Sequence, residues 1–240
     1  VNHAMTTIST GGFSTHDTSI AYYKSPTIEW ILIVFMGISG LPLILGLHLA
    51  KQKWQAIKND AQIFFYLKFI LGSTIILCLL RWINNHFLPT QLWKHVRESI
   101  FSIISVITST GFVADNYQTW GSFAIAFFMF LLVVGGCTGS TAGGIKMFRF
   151  KILTQSINVR LRSLVQPHGV FVPRYGNHTI SDDVLISVLV FIGLYLTTAV
   201  VITLLLSIYG FDFISSFSAS LSSLSNVGPG LGNLIGPDQT

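Results

Sequence analysis

Three long runs without a charged residue are the feature that most limits how this chain can fold. Residues 30–50, 116–145 and 184–211 contain no Asp, Glu, Lys or Arg. Each run is long enough for the roughly 20 apolar residues of a membrane-spanning helix. Only 10% of the residues are charged, and the mean hydropathy is +0.65. The composition is therefore that of a membrane protein.

A fourth span is predicted over residues 63–83, although Lys68 and Arg81 interrupt the apolar run. Long basic side chains at such depths can reach the headgroups, so the segment still qualifies as a span. Two further uncharged segments, 99–114 and 213–228, are rich in Ser, Thr and Gly. They are too short to cross a membrane fully, and we expect them to be re-entrant.

Basic residues are concentrated in two linkers between the predicted spans. The earlier linker contains Lys51, Lys53 and Lys58, and the later one contains Lys146, Arg149, Lys151, Arg160 and Arg162. The positive-inside rule places both linkers in the cytoplasm and the re-entrant segments on the external side. In residues 146–174 the basic side chains alternate with apolar ones, which favours an anchor at the membrane lipid over a partner-docking surface. Nucleic acid is not an expected partner.

The residues that carry enzyme chemistry show no arrangement typical of a catalytic or metal site. The seven histidines are scattered, without the His-x-x-x-His or Glu-x-x-His spacing of metal ligands. Cys78 and Cys137 lie far apart in apolar segments, which is typical of buried free thiols. The glycine-rich residues 135–146 are not a phosphate-binding loop, because Lys146 is followed by Met147. We predict that the chain is not an enzyme.

A polar glycine turn interrupts the apolar sequence three times. The first turn is STGG at residues 9–12, the second is STGF at 109–112 and the third is SNVGPG at 225–230. Each follows a short segment, and predicted spans lie between the turns. Repetition at this scale predicts pseudo-symmetric units around an axis, each made of a helix, a half-crossing helix, a turn and a second helix.

The turns have a chemical explanation if they line an ion pathway. Irregular backbone at membrane depth is tolerated only where it lines a water-filled cavity or is buried in protein. Turns repeated around an axis would present rings of carbonyl oxygens, which can replace the hydration shell of a cation. Because none of the turns contains a carboxylate, a monovalent cation fits better than Ca²⁺ or Mg²⁺.

Four stretches resemble the Trk/Ktr/HKT superfamily of potassium transport proteins, particularly its bacterial TrkH-type pore subunits. They are ISTGGFSTHD at 8–17, ITSTGFVADNY at 107–117, GGCTGSTAGGIKMFR at 135–149 and LSNVGPGLG at 224–232. The resemblance implies an all-α membrane protein in which four pore-loop units surround one pathway. It also implies potassium uptake through a channel-like pore, with K⁺ as the transported ion.

Within that arrangement the chain is expected to be a fragment that lacks the first filter and the last inner helix. Residues 1–60 would be the end of a second unit, with filter 8–14, inner helix 28–49 and a cytoplasmic linker. Residues 61–181 would be the third unit, with outer helix 63–83, pore helix 98–108, filter 108–112, inner helix 118–136, gate loop 135–145 and basic cytoplasmic segment 146–181. Residues 182–240 would start the fourth unit, with outer helix 184–208, pore helix 213–225 and filter 225–230.

The resemblance assigns K⁺-binding oxygens to three residues in each turn. By position they are Ser9, Thr10 and Gly11, then Ser109, Thr110 and Gly111, then Asn226, Val227 and Gly228. Because the first turn has Gly11-Gly12 where the second has one glycine, a register shifted by one residue stays open. Asp17 and Asp115 follow their turns, and we expect them to attract cations in an external vestibule.

The glycine-rich residues 135–146 are expected to be an unwound loop, because so many small residues are too flexible for ordinary helix packing. The resemblance implies an intramembrane gate below the filter, formed by Gly135, Gly136, Gly139, Ser140, Thr141, Ala142, Gly143, Gly144 and Lys146. The alternative is a helix-packing patch or kink.

Partners and location follow from the resemblance alone. It implies a multi-pass protein of the bacterial plasma (inner) membrane, a homodimer and a cytoplasmic nucleotide-binding regulatory subunit. The alternative function is a secondary transporter that binds a small organic solute at broken helices. The sequence leaves K⁺ over Na⁺ selectivity open, because carbonyl rings set it by their number and field.

Overall fold

The protein is mostly helical in the computed structural model, which describes residues 1–45, 51, 60–85, 92–166, 169, 171–176 and 178–237. Its α-helices are α1 Asn2–Ile8, α2 Pro26–Ser39, α3 Ala61–Asn85, α4 Leu92–Ile107, α5 Ser122–Leu131, α6 Met147–Val165, α7 Asp182–Ile208 and α8 Phe213–Ser225. Short 3-10 helices cover Ser19–Tyr23 and Tyr117–Trp120. A short antiparallel ribbon pairs β1 Arg174–Tyr175 with β2 His178–Thr179.

Helices α3 and α7 are long and apolar enough to cross a membrane, judged by length and composition, whereas α2 and α5 are shorter apolar helices. Much of the surface of the two long helices faces outward. Leu71 of α3 is 62% exposed and Leu204 of α7 is 61% exposed. Such outward apolar faces suit a hydrocarbon environment better than water.

Helix α2 is shorter than the inner helix predicted over residues 28–49. It ends at Ser39 because Gly40 and Pro42 follow, and a proline cannot continue the hydrogen-bond ladder of an α-helix. Hydropathy alone does not detect this break, since the residues on both sides of it are apolar. The predicted segment 46–49 lies outside the described residues.

The predicted inner helix 118–136 is also divided. A 3-10 helix covers Tyr117–Trp120, Gly121 follows with a φ of 105°, and α5 occupies only Ser122–Leu131. Beyond α5 the chain makes a turn at residues 132–133 and then pairs with residue 145, since the amide of Gly135 donates to the carbonyl of Ile145 at 2.9 Å. Residues 132–146 therefore form a loop that folds back on itself rather than a further helical turn.

The basic segment after this loop forms helix α6, which is held between the two long helices. The guanidinium carbon of Arg149 lies 3.7 Å from the centre of the Phe191 ring on α7. The Lys151 ammonium lies 5.2 Å from the centre of the Phe65 ring on α3. Both distances are in the range of cation–π contacts, so these two basic residues attach α6 to α3 and α7.

The short helices α4 and α8 pack against the long ones. Helix α4 contacts α2 and α3, and α8 lies along α7. The serine-rich α8 approaches α7 closely through paired hydroxyls: Tyr195 and Ser225 are 2.7 Å apart, and Thr203 and Ser220 are 2.9 Å apart. Small polar residues of this kind allow helices to approach closely and hydrogen-bond in an apolar environment.

Candidate ion-conduction site

Helices α1, α4 and α8 end in the same backbone turn. Shortly after each helix comes a non-glycine residue with positive φ: Thr10 at 53°, Ser109 at 55° and Asn226 at 55°. Two residues further on stands a glycine with positive φ: Gly12 at 63°, Gly111 at 76° and Gly228 at 102°. Left-handed backbone is unusual for residues with a side chain, so its occurrence at three equivalent places indicates one shared turn geometry.

The hydrogen bonds of the three turns are equivalent as well. The amide after each left-handed residue donates to the carbonyl five residues earlier: Gly11 to Thr6 at 2.8 Å, Thr110 to Ser105 at 2.9 Å and Val227 to Ser222 at 2.9 Å. This bond is the long-range bond of the Schellman motif that ends many helices. The motif fixes one common register for all three turns.

The common register corrects the alignment of the first turn by one residue. Ser9-Thr10-Gly11 was placed opposite Ser109-Thr110-Gly111. The backbone instead places Gly12 opposite Gly111, and Gly11 opposite Thr110. The physical reason is that the Schellman hydrogen bond sets the register, and its position is determined by where the helix ends and not by where the first glycine stands. The register shifted by one residue, which the sequence left open, is the one that the structure adopts.

The turns contact each other head to tail. A Cβ added to Gly12 would lie 1.7 Å from the carbonyl oxygen of Thr110 in the second turn. A Cβ added to Gly111 would lie 1.9 Å from the carbonyl oxygen of Val227 in the third turn. At Gly228 a Cβ would meet nothing within 4 Å among the described residues. Gly12 and Gly111 thus allow the middle carbonyl of the next turn to approach, whereas no described turn follows the third one.

A cavity of about 440 Å³ lies beside the row of turns. All three turns contribute to its lining, together with residues 13–17 and Ser19, and these include the ring of His16 and the carboxylate of Asp17. The vestibule position expected for Asp17 agrees with this lining. The cavity is thus lined by both polar and apolar residues, and its lining includes the acidic residue Asp17.

Asp115 has a different environment from Asp17. It is absent from the cavity lining, and its carboxylate accepts a hydrogen bond from the indole of Trp120 at 3.0 Å. The same indole ring lies against the guanidinium of Arg81, whose carbon is 3.7 Å from the ring centre. Arg81 in turn donates to Glu98 of α4 at 3.0 Å. Asp115 therefore belongs to a network that supports the second turn.

The glycine-rich residues 135–146 form a tight loop. Its ends are joined by hydrogen bonds from Gly135 to Ile145 at 2.9 Å, from Ile145 to Val133 at 3.0 Å and from Met147 to Gly136 at 3.0 Å. Glycine is required at position 135, where the two sides of the loop touch, because a Cβ there would lie 1.9 Å from the carbonyl oxygen of Gly143. The unwound loop expected from the sequence is the conformation observed.

The loop contacts the chain just before or within all three turns. The hydroxyl of Thr141 donates to the carbonyl of Ile8 at 3.3 Å, next to the first turn. The amide of Gly143 donates to the hydroxyl of Ser109 in the second turn at 3.0 Å. A Cβ on Gly143 would lie 1.9 Å from the carbonyl oxygen of Ser225, where the third turn begins. Since the cavity is lined by the turn glycines and the residues after them, the turns lie between the loop and the cavity.

Two polar side chains hold the loop. The ammonium of Lys146 donates to the carbonyls of Ala142 and Ser140, the latter at 3.3 Å. The side chain of Gln62, only 4% exposed, accepts a hydrogen bond from the amide of Thr138 at 2.9 Å. Lys146 was predicted in this region from the sequence, whereas Gln62 was missed. An uncharged polar residue directly before the predicted span 63–83 was the signal that could have identified it.

Comparison with known proteins agrees with this geometry. Residues 1–238 match the family model of TrkH, a cation transport protein. The chain belongs to the TrkH family. The Trk system potassium uptake protein TrkI of Halomonas elongata is 37% identical over 238 residues, which are 99% of this chain and 48% of that protein. TrkH of Escherichia coli K12 is 32% identical over 235 residues, which are 97% of this chain and 48% of that protein.

A solved structure of the family is similar in fold. The crystal structure of the potassium transporter TrkH from Vibrio parahaemolyticus matches with a TM-score of 0.88 at 30% identity, over 98% of this chain and 50% of that chain. The prediction of an all-α membrane protein is confirmed by this match. The chain spans about half the length of the curated TrkH relatives that it matches.

Proposed function

We propose that the complete protein takes up potassium through a channel-like pore whose selectivity filter includes the three turns. The observation that carries this proposal is the contact of three equivalent turns, one after the next, beside one cavity that all three line. The names of the relatives, which are potassium uptake proteins and a potassium transporter, support K⁺ as the transported ion.

The proposed ligands of K⁺ are backbone carbonyls of the nine residues assigned from the sequence, with Gly12 added by the common register. Backbone is favoured over hydroxyl because the third turn has Asn226-Val227-Gly228 and so lacks the Ser-Thr pair. Carbonyl oxygens replace water around a cation without a fixed charge, which suits a monovalent ion. Asp17 in the cavity would raise the local cation concentration at the entrance.

The loop of residues 135–146 is the proposed gate. It lies against the start of each turn, on the side away from the cavity, so in this conformation it would block passage below the filter. Its backbone hydrogen bonds join the loop to itself and to Gly40 and Leu43 after α2, and they do not form a helical ladder. Such a segment can change position at a smaller energetic cost than a packed helix.

The remaining proposals concern the surroundings of the pore. The protein would lie in the bacterial inner membrane, with the turns toward the outside and the basic helix α6 in the cytoplasm, as the positive-inside rule requires. The relatives are named as parts of a Trk system. The name supports only that the protein works within such a system. From the family resemblance we propose a cytoplasmic nucleotide-binding regulatory subunit as its partner and a homodimer as the membrane assembly.

The test is cation uptake by the full-length parent protein in liposomes. We expect uptake of K⁺ and Rb⁺ well above that of Na⁺, and loss of this discrimination in Gly111→Ser, whose side chain would meet the Val227 carbonyl. Gly72→Ser is the matched control, because a Cβ on Gly72 would meet no atom of the described residues within 4 Å. Equal uptake of Na⁺ by the wild type would contradict the function, and unchanged selectivity in Gly111→Ser would contradict the filter assignment.

A separate experiment tests the gate. Deletion of residues 139–143 removes the part of the loop that touches the turns, so K⁺ uptake should rise while the K⁺ to Na⁺ ratio stays near that of the wild type. A correctly folded deletion variant with unchanged uptake would refute the gating role and leave the filter assignment untouched.

A further inference from the structure

We propose that the Ser109 hydroxyl couples the gate loop to the selectivity filter by holding the loop in its closed position. This inference rests on the proposed role of residues 135–146 as a gate. Ser109 is the side chain through which a movement of the loop would affect the second turn. Substitutions at Ser109 should therefore release the loop although the loop sequence itself is unchanged.

Ser109 is placed for this role by its backbone. It is the left-handed residue of the second turn, with a φ of 55°, and it is only 1% exposed. Its Oγ accepts the hydrogen bond from the Gly143 amide at 3.0 Å. The carbonyl of the same turn that faces Gly12 belongs to the next residue, Thr110. The loop contact and the proposed ion ligand are therefore adjacent on one short turn.

The equivalent residues of the other turns do not make this contact. The hydroxyl of Thr10 donates to the neighbouring Ser9 carbonyl at 2.7 Å, and Asn226 is exposed. Since the three backbones are equivalent, the difference lies in the side chain and in the path of the loop. The serine at 109 thus has a contact that the shared turn geometry does not itself require.

Gly143, the donor of this hydrogen bond, is also held in place by its surroundings. Gly143 lies against the Ser225 carbonyl so closely that no side chain fits there. Its amide therefore points at Ser109 while its Cα rests on the start of the third turn. Movement of the loop out of the pathway separates Gly143 from Ser109 and Ser225 together. The hydrogen bond to Ser109 is broken in the open state, so it stabilises only the closed one.

The expected change in the open fraction of the gate follows from the loss of one buried hydrogen bond. Loss of a hydrogen bond of ordinary net strength shifts an equilibrium about 2- to 10-fold. Because the bond exists only in the closed conformation, its removal should raise the open fraction by that factor.

The experiment compares variants of the full-length parent in liposomes. Ser109→Ala removes the acceptor, and Ser109→Thr keeps a hydroxyl at a backbone position that Thr10 already occupies in the first turn. We expect Ser109→Ala to raise basal Rb⁺ uptake about 2- to 10-fold, and Ser109→Thr, which keeps the acceptor, to reverse most of that rise. Gly72→Ser, which lies outside the filter and the gate loop, is the control that should match the wild type. Ser109→Gly removes the acceptor and tolerates positive φ, so it replaces Ser109→Ala if that variant does not fold.

Each variant is also made in the background that lacks residues 139–143. If Ser109 acts through the loop, Ser109→Ala adds nothing once the loop is gone. Raised uptake in the deletion variant together with unchanged uptake in Ser109→Ala overturns the coupling but not the gate. Unchanged uptake in a folded deletion variant overturns the gate itself. A merely structural role of Ser109 predicts lower uptake and lower thermal stability, which also contradicts the proposal.

Discussion

Alanine at each of the two adjacent glycines of the first turn separates the two possible registers. In the register of the structure, Gly12 has positive φ and corresponds to Gly111, whereas Gly11 corresponds to Thr110, which carries a side chain. We therefore expect Gly12→Ala to abolish selective K⁺ uptake and Gly11→Ala to preserve it. The opposite result is expected if the glycine count of the sequence sets the register.

The magnitudes follow from the surroundings of each glycine. At Gly12 a Cβ would lie 1.7 Å from the Thr110 carbonyl oxygen, and a carbon–oxygen contact normally needs about 3.3 Å. The two turns would have to separate by about 1.6 Å, and left-handed alanine adds about 1 kcal/mol. At Gly11 the nearest atoms, in Phe13 and Ser9, are 3.4 Å away, so we expect a change below about 0.5 kcal/mol.

The assay is K⁺ and Na⁺ uptake by liposomes containing the full-length variants, after thermal unfolding in detergent has confirmed that both fold. A shift of the Thr110 carbonyl by more than an ångström changes the ring that replaces the hydration shell of the ion, so Gly12→Ala should lose K⁺ over Na⁺ selectivity. A folded Gly12→Ala protein with wild-type selectivity would refute the reasoning, as would loss of selectivity in Gly11→Ala alone.

Two further predictions concern stability. Arg81→Met leaves the Glu98 carboxylate, 7% exposed, without its guanidinium partner. It should lower the free energy of unfolding by about 3 kcal/mol, and adding Glu98→Gln should recover part of that loss. Denaturant unfolding that shows no loss in Arg81→Met, or no recovery in the double variant, contradicts this prediction. Hydrogen bonding from Ser215 holds the pKa of Asp212 below its ordinary value of 3.8. The charged carboxylate therefore stabilises α8 at any pH above 3.8. This stabilisation is lost as the pH falls through the lowered pKa. The thermal stability difference between wild type and Asp212→Ala should therefore be present at neutral pH and shrink in strong acid, and a difference that grows on acidification would contradict the sign.

The sequence predicted those parts of the fold that depend on hydropathy. The uncharged run over residues 184–211 and the interrupted run at 63–83 correspond to α7 and α3, because burial in lipid requires long apolar segments. Hydropathy did not predict where α2 and α5 end. The break after Ser39 is marked by Gly40 and Pro42 and not by a loss of hydropathy, and the break beyond Leu131 likewise occurs within apolar sequence.

The candidate site was predictable in composition but not in register or contacts. Glycine turns and a glycine-rich loop are visible as local patterns. The position of Gly12 opposite Gly111 follows from counting hydrogen bonds from a helix end that the sequence does not mark. The contacts of Gly143 with Ser109 and Ser225 join segments far apart in the chain, and no local pattern encodes such proximity.

The three turns differ in side chains but not in backbone, which bears on how the proposed filter would bind its ion. The Thr10 hydroxyl donates to the Ser9 carbonyl, and the Thr110 hydroxyl lies 2.8 Å from that of Thr108. The residue that corresponds to Thr110 in the third turn is Val227, which has no hydroxyl. Only the main-chain carbonyls are therefore common to all three turns. A ring built from them tolerates Ser, Thr, Asn or Val at its positions, provided that the glycine of each turn leaves room for the carbonyl of the next.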